Sequence, residues 1–305
     1  MSTFKDKSSF DDKYEYIGKD PICQLKLGFL YRVKDKKFGN EYILKKLKKF
    51  DPKNPGIEIE AKESFDTELY FLKNVKGNNI INIIDFYENE KDYYYIVLEK
   101  MDGDLAQMLT ENYKNGMPSN LIRKIFKQLN FGLKIMRAKG ICHRDLKPNN
   151  ILFSYTNEKK NDFIIKLADF DLSTELSSIS QTKSIAGTEL FKAPEIKKEK
   201  YSNKCDLYSL GIILYMLKTG EYIFEGNNLY EILTNKNKNK IKKDTEDEKS
   251  NKLIKKMVVI NPKERIEWED YFDDPFFKEN DNEKIFNQTK IKKENEKKDE
   301  KGNKF

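Results

Sequence analysis

The apolar pattern of the chain changes period at "MDGDL", residues 101–105. Before it, short runs rich in Ile, Val, Tyr and Phe alternate with charged turns: "KYEYIG", "LGFLYRVKD", "NEYILKKL", "NIINIIDFYE" and "DYYYIVLEKM". Runs of this length and composition read as strands. One segment among them, "EAKESFDTELYFLKNVKG", instead sets Phe65, Leu69, Leu72 and Val75 along one helical face. After the change, "LIRKIFKQLNFGLKIMRAKG" is an amphipathic helix ended by Gly140. "CDLYSLGIILYMLKTG" is apolar almost all round and predicts a buried helix. The pattern therefore predicts an α+β architecture of two lobes, a small β-rich one with one main helix and a larger, mostly helical one. The short segment Glu99–Gly103 joins them. A cleft between two such lobes is a preferred ligand site.

Composition supports a folded chain of this size. At 305 residues it exceeds what one small core serves, and 38% hydrophobic content with 20 Phe and 17 Tyr excludes a disordered chain. The net charge of +7 does not by itself imply nucleic acid. The lysines are interleaved with Asp and Glu along the whole length, and no arginine–aromatic array accompanies them. A nucleic-acid partner is not expected. The cysteines, Cys23, Cys142 and Cys205, are sparse and lack metal-ligand spacing, which fits a reducing compartment. The N-terminus has no apolar core and no run approaches membrane-spanning length. The expectation is a soluble protein of the cytoplasm or nucleus, with no membrane partner. Residues 1–13 read as a flexible N-terminus, 14–282 as the folded domain and 283–305 as a charged, disordered tail.

The chemistry concentrates in "CHRDLKPNNILF", where Asp145, Lys147 and Asn150 lie on a short loop between an amphipathic helix and an apolar strand. A second apolar run, "DFIIKLA", leads into Asp169-Phe170-Asp171. Two close carboxylates there are metal ligands, a proton-sharing pair or turn residues; the residues alone leave the three open. Phosphoryl transfer needs this assortment: a carboxylate to orient a hydroxyl, a cation for the moving charge, and Asn and Asp oxygens for Mg²⁺.

From about Tyr14 to Phe277 the sequence resembles the eukaryotic-type protein kinase superfamily. The resemblance is carried by His143-Arg144-Asp145-Leu146-Lys147-Pro148-Asn149-Asn150, by Asp169, by Ala193-Pro194-Glu195, by Asp206 in "CDLYSLG" and by Arg265 in "NPKERI". It implies a bilobal kinase fold with an N-lobe at 14–98, a hinge at 99–103 and a C-lobe at 104–282. It also implies a serine/threonine kinase that uses ATP and Mg²⁺ on protein substrates. Lys147, two residues after Asp145, is the serine/threonine pattern. Asp145 would orient the substrate hydroxyl, Lys147 would neutralise the phosphoryl group, and Asn150 and Asp169 would hold the metal. Lys45 would bind the α and β phosphates and pair with Glu68. Lys46 is the competing lysine, but strand alternation turns it to the opposite face. Gly28, Leu30, Ile43, Leu98, Leu152, Asp104 and the backbones of Glu99 and Met101 would line the nucleotide site, with Asp104 either reaching the ribose or starting the next helix. His143, the only histidine, would pack with Leu72, Ile83 and Phe170 rather than transfer protons. Asp206 would support the catalytic loop, and Arg265 would pair with Glu195.

Three departures from the family pattern matter. Cys23 and Leu25 occupy the places of the first two glycines of the phosphate loop, where a side chain obstructs the approach of backbone N–H groups. Ile43 replaces a small residue above the adenine. Asp171 replaces the glycine of the metal motif and is expected to be a tolerated structural change, since Asp accepts φ > 0 with little penalty. Together they predict weakened ATP binding with the reaction retained; the alternative is a pseudokinase scaffold or allosteric binding module. Ser184, with Ser180 and Thr182 as runners-up, is the expected phosphorylation position facing Arg144, and Lys192 is an unusual cation before "APE".

Overall fold

The computed structural model describes residues 9–51, 56–88, 90, 92–175, 188–197, 202–227, 229–239, 241–242 and 244–278. The chain opens with a one-turn helix, α1 (Phe10–Lys13), and continues into β1 (Tyr14–Tyr16), β2 (Cys23–Gln24), β3 (Gly28–Asp35), β4 (Glu41–Lys48), α2 (Ile57–Asn74), β5 (Ile83–Tyr87) and β6 (Tyr93–Glu99). The strands form one antiparallel sheet in the order β1-β3-β4-β6-β5, with β2 pairing the same strand, β3, as β1 does. The folded part begins earlier than expected. Phe10 is buried, stacks on Tyr95 at 4.8 Å and Tyr14 at 5.5 Å, and closes a small aromatic core on the outer face of the sheet with Val33, Leu44 and Val97. Its apolar area outweighs the polar segment before it.

The inner face of the sheet carries α2. Phe65, Leu69 and Leu72 are buried along the predicted stripe, and Phe65 stacks on Tyr94 at 4.7 Å. Glu68 is buried on that same helix, a carboxylate directed inward. The short β7 (Gly103–Asp104) then leads to α3 (Leu105–Asn112), α4 (Ser119–Ala138), β8 (Ile141–Cys142), β9 (Ile151–Tyr155), β10 (Phe163–Leu167) and β11 (Thr174–Glu175). The strands make two small antiparallel sheets, β10-β9-β7 and β11-β8. These hold the loop 143–150 between them. The remainder is helical: α5 (Lys204–Thr219), α6 (Leu229–Asn237), α7 (Glu248–Met257) and α8 (Trp268–Phe272). The predicted buried helix is α5, whose apolar residues face both α4 and α7.

The two lobes share one apolar cluster. It runs from Phe65 and Leu72 through Ile80, Leu167 and Phe170 to Leu207 and Leu214. The segment after α2 docks on the larger lobe through backbone bonds, Ile81 N–H to the Leu167 carbonyl and Leu167 N–H to that of Asn79, both at 2.9 Å. No described helix is long and apolar enough to cross a membrane.

Candidate active site

Strand alternation on β4 sorts its two lysines. Lys45 lies on the inner face at 6% exposure, 2.7 Å from Glu68 and 2.9 Å from Asp169. Lys46 points outward, with its ammonium 4.1–5.8 Å from the ring centres of Tyr16, Tyr31, Tyr93 and Tyr95. Pairing registers place Leu30 opposite Lys45 and Ile43 opposite Leu98, so these four residues share the inner face. Leu98, Met101 and Leu152 are partly buried against the main cluster. The backbone N–H of Glu99 is bonded to the Asn82 carbonyl at 3.1 Å, and its carboxylate receives the buried Lys166 at 2.6 Å. Sequence reasoning missed this second ion pair. Its signal was the lysine inside the apolar run "FIIKLA".

On the larger lobe, the loop 143–150 is held from below. The Asp206 carboxylate, in the first turn of α5, accepts the backbone N–H groups of His143 at 2.8 Å and Arg144 at 2.9 Å. Arg144 sits at φ 70°, a conformation that L-residues avoid, and these two bonds hold it there. The side chain of His143 contacts Phe170, ring centres 5.0 Å apart, and Nε2 lies 3.1 Å from the Ala168 carbonyl. His143, Leu72 and Phe170 are all buried, the last two within the main apolar cluster. Beneath the loop, the buried Cys142 and Cys205 bring their sulfurs to 3.0 Å.

Asp145 is 4% exposed and its two oxygens are used differently. Oδ2 receives Lys147 Nζ at 2.7 Å and Asn150 Nδ2 at 3.1 Å, while Oδ1 has no hydrogen-bond partner. Asn150 also donates to the Asp145 backbone carbonyl at 2.8 Å. With its nitrogen so engaged, its side-chain oxygen is the atom left for a cation. Asp169, at φ 66°, gives one oxygen to Lys45 and keeps a second. Burial pushes its carboxyl up, but the Lys45 charge outweighs that and holds it below the usual carboxylate range. An amide oxygen and an ionised carboxylate suit a hard divalent ion, so these donors fit Mg²⁺.

Asp171 departs from its expected part. The left-handed backbone falls on Asp169, not Asp171. The Asp171 carboxylate faces the site, 3.9 Å from Lys45. Burial, with the neighbouring charge of Asp169, pushes its carboxyl up to about 6 against the pull of Lys45. Glu68 rises to about 7, through burial first and then through Asp169 and Asp171, again against Lys45. One lysine thus answers three carboxylates.

The remaining positions are placed as follows. Gly28 is buried in β3 opposite Leu47, and a Cβ there would lie 1.9 Å from the Lys46 carbonyl oxygen; its missing side chain serves strand approach. Leu25 and Leu27 both pack against the main cluster, with Leu25 N–H bonded to the Gly28 carbonyl at 2.8 Å. Asp104 caps α3, accepting Gln107 N–H at 2.8 Å through one oxygen, with Asn149 3.5 Å from the other. Lys192 is buried, and that burial pushes its ammonium down against the attraction of Asp145. Arg265 makes a buried two-pronged pair with Glu195 at 2.5 and 3.1 Å. Ser180, Thr182 and Ser184 lie outside the described residues.

Comparison with known proteins agrees with this geometry. A family model described as protein kinase domain matches residues 20–277. The chain is 33% identical over 270 residues to calcium-dependent protein kinase 4 of Plasmodium falciparum, covering 87% of this chain and 49% of that protein. It is 32% identical over 226 residues to the serine/threonine-protein kinase ATG1c of Arabidopsis thaliana, covering 72% of this chain and 30% of that one. The serine/threonine-protein kinase atg1 of Dictyostelium discoideum is 32% identical over 226 residues, with 72% and 33% covered. The chain thus spans about half or less of the length of these relatives.

Proposed function

The chain belongs to the protein kinase family, and on that premise we propose that it transfers the γ-phosphoryl group of ATP to serine or threonine hydroxyls of proteins, in the cytoplasm or nucleus. The observation that carries this reading is the division of labour at Asp145: one oxygen is saturated by Lys147 and Asn150, the other is buried and free to accept. A substrate hydroxyl is the donor that oxygen lacks. Asp145 orients it, Lys147 answers the charge of the moving phosphoryl group, and Lys45, steadied by Glu68, binds the nucleotide phosphates. Asn150 and Asp169 hold Mg²⁺, which when bound neutralises phosphate charge. Leu30, Ile43, Leu98, Met101 and Leu152 enclose the adenine, with backbone groups of the hinge 99–103 at its edge.

Nucleotide binding is weakened, because Leu25 fills the place of a phosphate-loop glycine and Ile43 adds bulk above the base. The cost is about 1–3 kcal/mol, roughly ten- to a hundredfold in affinity. The expected outcome is low, Mg²⁺-dependent autophosphorylation or peptide phosphorylation. Asp145→Asn reduces it about 10²–10⁴-fold with the melting temperature nearly unchanged. Absence of turnover at millimolar ATP, with Asp145→Asn indistinguishable from wild type, favours the second reading, a pseudokinase scaffold. The packing of Leu25 and Leu27 against the main cluster speaks for that second reading.

A further inference from the structure

Four carboxylates, Glu68, Asp145, Asp169 and Asp171, stand against three ammonium groups: Lys45 and Lys147 in direct ion pairs, and the buried Lys192 near Asp145. One negative charge is in excess in a crevice where Glu68 and Asp145 are almost fully buried. A glycine at position 171 would leave these charges balanced. Lys45 cannot absorb the surplus: it lies 2.7 Å from Glu68 and 2.9 Å from Asp169, and Asp171 is left at 3.9 Å with no hydrogen bond among the described residues. A second observation points the same way. Before a substrate hydroxyl arrives, the buried Asp145 Oδ1 in the same crevice has no donor either. Unneutralised carboxylates in a poorly solvated site recruit a cation.

We propose that Asp171 is an additional ligand of the divalent-metal site, which lets the protein hold the cation before any nucleotide is bound. The inference rests on Asn150 and Asp169 being the metal ligands of the proposed function. Two protein oxygens leave Mg²⁺ dependent on substrate phosphates to complete its shell. A third oxygen, carrying a full charge, moves the site toward one built by the protein itself, tolerant of larger and more flexible ions such as Mn²⁺ and Ca²⁺. Such preloading counters the weak phosphate loop, since the bound cation attracts the triphosphate that Leu25 obstructs. Asp171 acts here on metal and nucleotide capture.

Mn²⁺ titration of the nucleotide-free full chain, read by the electron paramagnetic resonance of free Mn²⁺, tests this. Wild type, Asp171→Gly, Asp171→Asn and Asp169→Asn are compared with and without ATP. Wild type is expected to bind Mn²⁺ without ATP, and both Asp171 variants to bind it at least about tenfold more weakly while melting as cooperatively as wild type. Equal affinity in wild type and Asp171→Gly overturns the proposal. So does a loss in Asp171→Gly that Asp171→Asn does not share, which would assign the effect to the backbone. If Mn²⁺ is bound with ATP, and lost in Asp169→Asn, but never without ATP, the proposal falls while the kinase reading stands. If wild type takes up no Mn²⁺ even with ATP, the metal assignment of Asn150 and Asp169 falls as well.

Discussion

At the scale of single residues, the site is governed by the ratio of positive to negative groups around Lys45. Asp171 is the residue that tips it, and its cost to the metal-free fold has a definite pH dependence. Its carboxyl is raised in the folded protein from 3.8 to about 6, so the fold favours the protonated form. Stability is therefore lost as pH rises from about 4 to about 6 and stays lost above. Asp171→Asn removes that loss. In a chelator it should be more stable than wild type at pH 7–8, by up to about 3 kcal/mol, and nearly equal to it at pH 4. Thermal melts at the two pH values check this, and a gain of equal size at both would mean that charge is not the cause. The sequence offered the identity of Asp171 but not its direction. A turn carboxylate bonded to local N–H groups and one pointing into the cleft are the same letters; the fold, with Asp169 at φ 66°, turns Asp171 toward Lys45.

At the scale of elements, strand alternation is the strongest local signal in the chain. It placed Lys45 inward and Lys46 outward, and the helical stripe on α2 carried Glu68 to the matching depth. What alternation cannot supply is the path of the loop between β2 and β3. There Leu25 and Leu27 fold back onto the main cluster, and Gly28 is needed for the close approach of β3 to β4. The two positions should respond oppositely. Gly28→Ala puts a Cβ 1.9 Å from the Lys46 carbonyl oxygen, forces the strands apart and should cost about 1–3 kcal/mol in denaturant unfolding. Leu25→Gly removes an obstruction and should lower the KM for ATP about tenfold with kcat little changed, measured in a steady-state peptide assay. Unchanged KM in Leu25→Gly would show that this side chain does not limit the nucleotide. Likewise α1 was unreadable. A single buried Phe10 among polar neighbours has no period, and its partners, Tyr87 and Tyr95, lie more than seventy residues away.

At the scale of the whole molecule, a few long-range ties hold chemistry-bearing loops to the helical lobe. The Asp206 carboxylate fixes the strained backbone at Arg144 from α5. Arg265 reaches Glu195 across seventy residues of chain, fully buried. Arg265→Ala leaves a buried carboxylate without its partner and should cost about 3–5 kcal/mol. The corresponding fall in melting temperature is on the order of 10 °C, measurable by calorimetry. A variant that melts within a degree or two of wild type would show the tie to be dispensable. The ordered series of motifs from Lys45 to Arg265, with the change of apolar period near residue 103, was enough by itself to determine the kinase family and its α+β fold class. That is because residue type and period are local properties, written directly in the chain. Tertiary structure alone decided which oxygen of Asp145 stays free, that Lys166 pairs with Glu99, and that Asp171 crowds Lys45. Each of these is a contact between segments far apart in sequence, and charge balance in a buried crevice depends on distances of a few ångströms that no spacing along the chain records.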